Sequence, residues 1–155
     1  MKRVLFLFLI TVVSCNFDKK CKDSITLNSD IFIYGWDKNH ATIKKAVIYE
    51  YKKTDYKNEL NSHLINDFVN PFVVSNKDEL HLRTSGLLKT KYNYKLVLND
   101  TLIFKISDFE IGNIERGTAV TVQKYCVMKS YKVNGNNISQ KSNHLQFDSS
   151  LGIVK

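Results

Sequence analysis

Four histidines, two pairs of near-neighbour carboxylates and three cysteines are the residues of this chain with the types to do chemistry. His40, His63, His81 and His144 are scattered, and none stands at metal-ligand spacing from another His or a Cys. Asp78/Glu79 and Asp108/Glu110 could perform glycosidase-type acid–base work only if held ~5–9 Å apart across a cleft. Their spacing fits ordinary surface loops instead. Cys126 would need a base and a depressed pKa to act as a nucleophile, and Lys124 is the one nearby cation. Gly35, Gly86, Gly112, Gly117, Gly135 and Gly152 are isolated, so no glycine loop cradles a phosphate. Neither a Gly-x-Ser-x-Gly elbow nor a Ser-x-x-Lys set occurs. The expectation is a protein that is not an enzyme, with no catalytic residue, metal, cofactor or small-molecule substrate.

The elements that would position these residues are mostly strands. With 43% apolar and 25% charged residues in 155, the composition is that of one ordinary globular domain. Ile25–Leu27, Ile31–Trp36 and Ala41–Tyr51 are rich in β-branched and aromatic residues. The polar run Asp37–His40 reads as a turn between the last two. Tyr94–Ser107 reads as a hairpin about Asn99-Asp100, residues that tolerate left-handed backbone. Thr118–Val133 reads as a long strand, turned by Asn134–Asn137 into a return beginning at Ile138. His81 alternates with Leu80 and Leu82, which puts it on a solvent face with Glu79 and Arg83. One short helix is expected near 56–69, where Leu60, Leu64 and Phe68 recur every four residues. Asp55 would cap it and Asn70-Pro71 would end it. Together these predict a mainly β fold: a two-sheet antiparallel β-sandwich, with a partly open β-barrel as the alternative.

The first fourteen residues have a different character. Met1-Lys2-Arg3 is cationic, Val4–Val13 is an apolar run too short for a membrane span of ~20 residues, and Ser14 precedes Cys15. The ending Val12-Val13-Ser14-Cys15 resembles the lipobox of bacterial lipoproteins, although Val12 stands where Leu is commonest. The resemblance implies cleavage after residue 14 and acylation of the Cys15 sulfur. Two or three acyl chains would hold the protein on a membrane that no segment spans. Asn16, which is not the Asp that tends to signal inner-membrane retention, then implies an outer-membrane address facing the periplasm. Residues 15–24 would form the lipidated Cys and a polar tether, and residues 25–155 a single β-rich domain. With Cys15 acylated and the chain exported, Cys21 and Cys126 are left as the simplest disulfide. Closing that loop contributes on the order of 4–5 kcal/mol in the chain-entropy model.

The charge of +8 falls to +6 once Lys2 and Arg3 are removed. Its lysines are spread along the chain without a nucleic-acid motif, so nucleic acid is not an expected partner. An acidic protein fits better, because charge complementarity speeds encounter and selects partners. Tyr34, Trp36, Tyr49 and Tyr51 are the candidate contact residues, since Tyr and Trp are frequent binding hot spots. A small β-rich lipoprotein without catalytic machinery resembles, in organisation, the immunity and inhibitor proteins that neutralise a secreted toxin or hydrolase. The alternative is a scaffold or assembly component of an envelope or secretion machine, binding its neighbours through sheet edges.

Overall fold

Apolar residues at every second position are buried, and they bring the strands together in two layers. A computed structural model describes residues 21, 23–36, 42–69, 78–117 and 122–155. The signal segment, Cys15, the tether up to residue 20, the turn at 37–40 and Asn70-Pro71 lie outside these residues. In chain order the strands are β1 (Asp30–Tyr34), β2 (Ala46–Lys52), β3 (Glu59–Ile65), β4 (Asp67–Val69), β5 (Glu79–Arg83) and β6 (Tyr92–Leu98). There follow β7 (Leu102–Gly117), β8 (Val122–Val133), β9 (Asn136–Ser142), β10 (Leu145–Asp148) and, after a 3-10 turn at Ser149–Leu151, β11 (Ile153–Val154). A four-stranded sheet has the order β10-β1-β5-β4. A seven-stranded sheet has the order β3-β2-β6-β7-β8-β9, with β11 paired to the start of β7. All pairings are antiparallel except β1 with β10. The sheets do not close into a barrel, so the sandwich describes the fold.

The core lies between the layers. Ile31, Ile33, Leu80, Leu82, Leu145 and Phe147 point inward from the small sheet. Ile48, Leu96, Leu98, Phe104, Ile106, Met128 and Val133 meet them from the large one. Phe104 and Phe147 pack across the gap, their tilted rings 5.0 Å apart between centroids. Asn99 (φ 50°) and Asp100 (φ 61°) turn β6 into β7, and Asn134 (φ 48°) with Gly135 (φ 86°) turns β8 into β9. These are left-handed conformations that Asn, Asp and Gly adopt most cheaply. Both asparagines also bind at a distance. The Asn99 carboxamide accepts from the Lys44 and Lys45 N–H groups and donates to Thr42 O. The Asn134 carboxamide accepts from Lys105 N–H and donates to Ile103 O and Leu151 O, which ties β7 to the C-terminal segment.

The helix expected near 56–69 is not formed; β3 and β4 occupy that stretch. A spacing of four serves a strand as well as a helix, because residues 60 and 64 share a face at a period of two. The residue that anchors the segment is Ile65, 1% exposed, whereas Leu60 and Leu64 are 44% and 52% exposed. A helix there would also leave one side of β2 without backbone partners. Asp55 caps a turn rather than a helix, accepting from Lys57 N–H.

Two buried tyrosines bridge elements that no ladder joins. Tyr131 on β8 sends its ring through the core, donates its hydroxyl to Gln146 O at 2.6 Å and accepts from Gln146 N–H at 2.9 Å. Tyr94 on β6 does the same to Lys89, donating to the carbonyl at 3.0 Å and accepting from the N–H at 2.7 Å. Burial pushes both phenols well above the ordinary tyrosine range, so both remain donors at any physiological pH. Tyr131→Phe would strand the N–H and carbonyl of Gln146. We expect a loss of about 1–3 kcal/mol, read as a lower urea midpoint at unchanged m-value. An unchanged midpoint would show that the bridge does not hold the layers together.

Candidate functional site

The outer face of the seven-stranded sheet carries an apolar row. The pairing register sets Leu64 beside Val47, Val47 beside Val97, Val97 beside Ile103, and Ile103 beside Ile153. The row therefore crosses five strands, about 19 Å at ~4.8 Å per strand. None of the five is buried: Leu64 and Ile153 are 52% and 51% exposed, and the three between them are half-buried. The first four each sit next to a core residue of opposite facing: Ile65, Ile48, Leu96 and Phe104. The alternation that would put a polar residue outside is broken at the same level in four consecutive strands.

The neighbouring row is aromatic and cationic. Ser62, Tyr49, Lys95 and Lys105 are in register on the same face. The Lys95 ammonium lies 4.5 Å from the Tyr49 ring centroid and 5.4 Å from that of Tyr51. Lys105 lies 5.6 Å from the ring of Tyr56. That phenol is pushed up to about 12 by burial and donates to Ile106 O. Among the described residues neither ammonium has a carboxylate partner within ion-pair distance. Cation–π contacts hold both charges in place while leaving them to attract an outside anion. The face thus sets an aliphatic strip directly beside two lysines held on tyrosine rings.

The four aromatic residues singled out from the sequence do not form one patch. Tyr49 belongs to the face just described. Tyr51 shares its side of β2 but is 3% exposed under Tyr56, their rings 5.4 Å apart. Trp36 is 3% exposed and serves the core. Tyr34, 39% exposed, lies on the other sheet. Buried rings pack the structure rather than meet a partner, so Trp36 and Tyr51 contribute support here, not contact.

The outer face of the small sheet holds a polar cluster. His81 stacks on Phe32 with centroids 4.6 Å apart and donates to Asp30 Oδ1 at 2.8 Å. His144 meets the same Phe32 edge-on at 5.2 Å and bonds Gln146. Arg83 completes the group with Asp30 at 3.1 Å and Asp67 at 3.6 Å. His63 lies on β3, where its ring bonds Asn61 and faces Glu50, Thr84 and Tyr94 around a void of about 20 Å³, room for one water. Of the carboxylate pairs, Asp108 pairs with Lys132 at 3.0 Å, and Glu110 accepts from Ser130 at 2.7 Å. Among the described residues no group of three His, Cys, Asp or Glu could hold a metal ion.

Cys21 and Cys126 stand at disulfide bonding, their Cα atoms 5.6 Å apart. The polar segment is thereby pinned to β8 at Cys21, before the domain's first bridge, Thr26 with Lys89.

The Asp30 cluster carries a pH dependence. The His81 hydrogen bond, helped by Arg83, holds the Asp30 carboxyl below the usual carboxylate range. A depressed folded-state value gives stability that is present above about pH 4 and is lost as pH falls through that lower value. Asp30→Asn should therefore lower the melting temperature at neutral pH, with the gap to wild type closing in acid. A gap independent of pH would show that the carboxylate charge is not what stabilises. No family model, no curated protein and no solved structure matches the chain.

Proposed function

We propose that this protein is a membrane-anchored, non-catalytic lipoprotein of the cell envelope that binds an acidic protein through the outer face of its large sheet. The observation that carries the reading is the row Leu64, Val47, Val97, Ile103 and Ile153, on the outer face and in register beside Lys95 and Lys105, exposed at its two ends and half-buried between them. The lipobox-like Val12-Val13-Ser14-Cys15 supports the anchor. Binding one secreted effector would make the protein an immunity or inhibitor protein. An effector that presents carboxylates meets a net charge of +6 favourably, and occlusion asks of the binder only a rigid complementary face.

Two measurements test the proposal. Mass spectrometry of the N-terminal peptide should find the chain beginning at an acylated Cys15; Met1 still attached would remove the anchor. A photo-crosslinking side chain at Val97 should capture one acidic protein in the native host, whereas the same group at His81 should not. Val47→Asp with Ile103→Asp should cut capture at a probe on Tyr49 by tenfold or more, since losing two central contacts costs over about 1.4 kcal/mol. No adduct at Val97 would sink the proposed face. Recovery of several membrane proteins there would point to a scaffold instead.

A further inference from the structure

Beyond Gly112↔Val127 the hairpin of β7 and β8 leaves the body of the sandwich. Six residue pairs, from Gly112↔Val127 to Gly117↔Val122, are bonded to each other and, among the described residues, to no third strand. At ~3.3 Å per residue the arm is about 20 Å long. One of its faces presents Ile114 beside Tyr125 and Arg116 beside Gln123. That face borders a concavity of about 220 Å³ lined by Ile114, Arg116, Tyr125, Val127, Lys141 and Ser142. Lys129 lies across Gly112 on the same side, where any Cβ would collide with it. Arg116, Lys129 and Lys141 are all exposed, and among the described residues none of the three has a carboxylate partner within ion-pair distance.

The covalent path decides what this arm faces. Cys126 sits on the arm, paired with Asn113, and is bonded to Cys21. Cys21 is only six residue steps from Cys15, a reach of at most about 21 Å when fully extended. We propose that the disulfide holds the β7–β8 arm against the membrane, and that the concavity beside Tyr125 takes an anionic phospholipid headgroup. The chemistry fits that occupant. Arg116 and Lys141 flank a space that suits a phosphate. Tyrosine and an aliphatic side chain beside it suit the headgroup boundary, where one end of the ring is wet and the other apolar. Each cation near an anionic surface adds to binding that the acyl chains have already made local.

This inference rests on the lipid anchor, and its test separates the two. The full-length acylated protein is placed on vesicles of phosphatidylcholine with and without phosphatidylglycerol, and amide exchange is followed in the arm and in β10. An exposed two-stranded ribbon opens readily. The expected result is exchange in residues 112–117 and 122–127 slowed about tenfold on the anionic vesicles, with β10 unchanged. Arg116→Glu with Lys141→Glu should abolish the slowing while the protein stays vesicle-bound, and Cys21→Ser with Cys126→Ser should weaken it. Acylated protein whose arm exchanges equally on both vesicles and free of them would overturn the headgroup site and leave the anchor standing. Slowing by inorganic phosphate alone, without vesicles, would overturn the lipid assignment. A Cys15 found without acyl chains would remove the anchor and this inference together.

Discussion

The sandwich depends on a hydroxyl that crosses it. Among the described residues strand β10 has β1 as its single ladder partner, and its side chains Leu145 and Phe147 are buried in the core. A buried strand edge with unpaired N–H and carbonyl groups would cost about 1–3 kcal/mol for each polar group left unmet. Tyr131 reaches that edge from the opposite layer and meets one donor and one acceptor of Gln146 with one side chain. Its ring packs on Phe109, which in turn packs edge-on against Tyr94. Tyr94 performs the matching task on the connection between β5 and β6, at Lys89. The two layers are thus fixed in relative position by directional bonds at two places, and the aliphatic core fills what lies between.

With the core settled inside, the outer faces are free to differ. The small sheet carries Asp30, His81 and Arg83, a hydrogen-bonded polar surface that water solvates well. The large sheet carries aliphatic side chains in a single row. Val and Ile outside a strand are partly explained by β-propensity, since cross-strand aliphatic pairs contribute roughly 0.2–1 kcal/mol each. That account covers Val47, Val97 and Ile103. It does not cover Leu64 or Ile153, which are half exposed and gain little from one-sided neighbours, nor the two lysines held on tyrosine rings beside them. Continuity of the row to both flanking strands is what a binding surface requires and what propensity alone does not produce.

Much of this was legible in the residues. The alternation of Leu80 and Leu82 with His81, the hairpin at Asn99-Asp100 and the turn at Asn134-Gly135 each rest on local chemistry, and each stands in the structure as the sequence implies. The pairing of Cys21 with Cys126 needed only the arithmetic of three cysteines, one of them in a lipobox-like ending. The stretch 56–69 misled because four residues is two strand periods as well as about one helical turn. Only burial separates the two, and burial is a property of partners far away in sequence. The aliphatic row was hidden for a related reason. Leu64-Ile65, Val47-Ile48, Leu96-Val97 and Ile103-Phe104 are visible as apolar doublets that break alternation. That the four breaks fall on one line follows from strand register, which hydrogen bonds between distant segments set. For Trp36 and Tyr51 residue type alone leaves contact and packing both open, because aromatic residues serve cores and interfaces alike; both are buried.

The proposed anchor, the disulfide and the proposed face would make one geometry. Residue Ile103 on the apolar row is ten residues from Asn113, opposite Cys126, and fourteen from the end of β7 at Gly117. At ~3.3 Å per residue those separations are at most about 33 and 46 Å along the strand. The row runs across the strands, whereas the arm runs along them. With the arm lowered to the headgroups as proposed, the row would lie side-on and tens of ångströms above the lipid. A free ten-residue tether would let the domain tumble and present the face in any direction, with an r.m.s. reach of only about 17 Å. In the proposed arrangement, closing Cys21 onto Cys126 would remove most of that freedom, so that the face would be held where a soluble protein can reach it and the bilayer cannot cover it. The cost of orienting the domain would then be met during folding, in the disulfide, and not at each encounter.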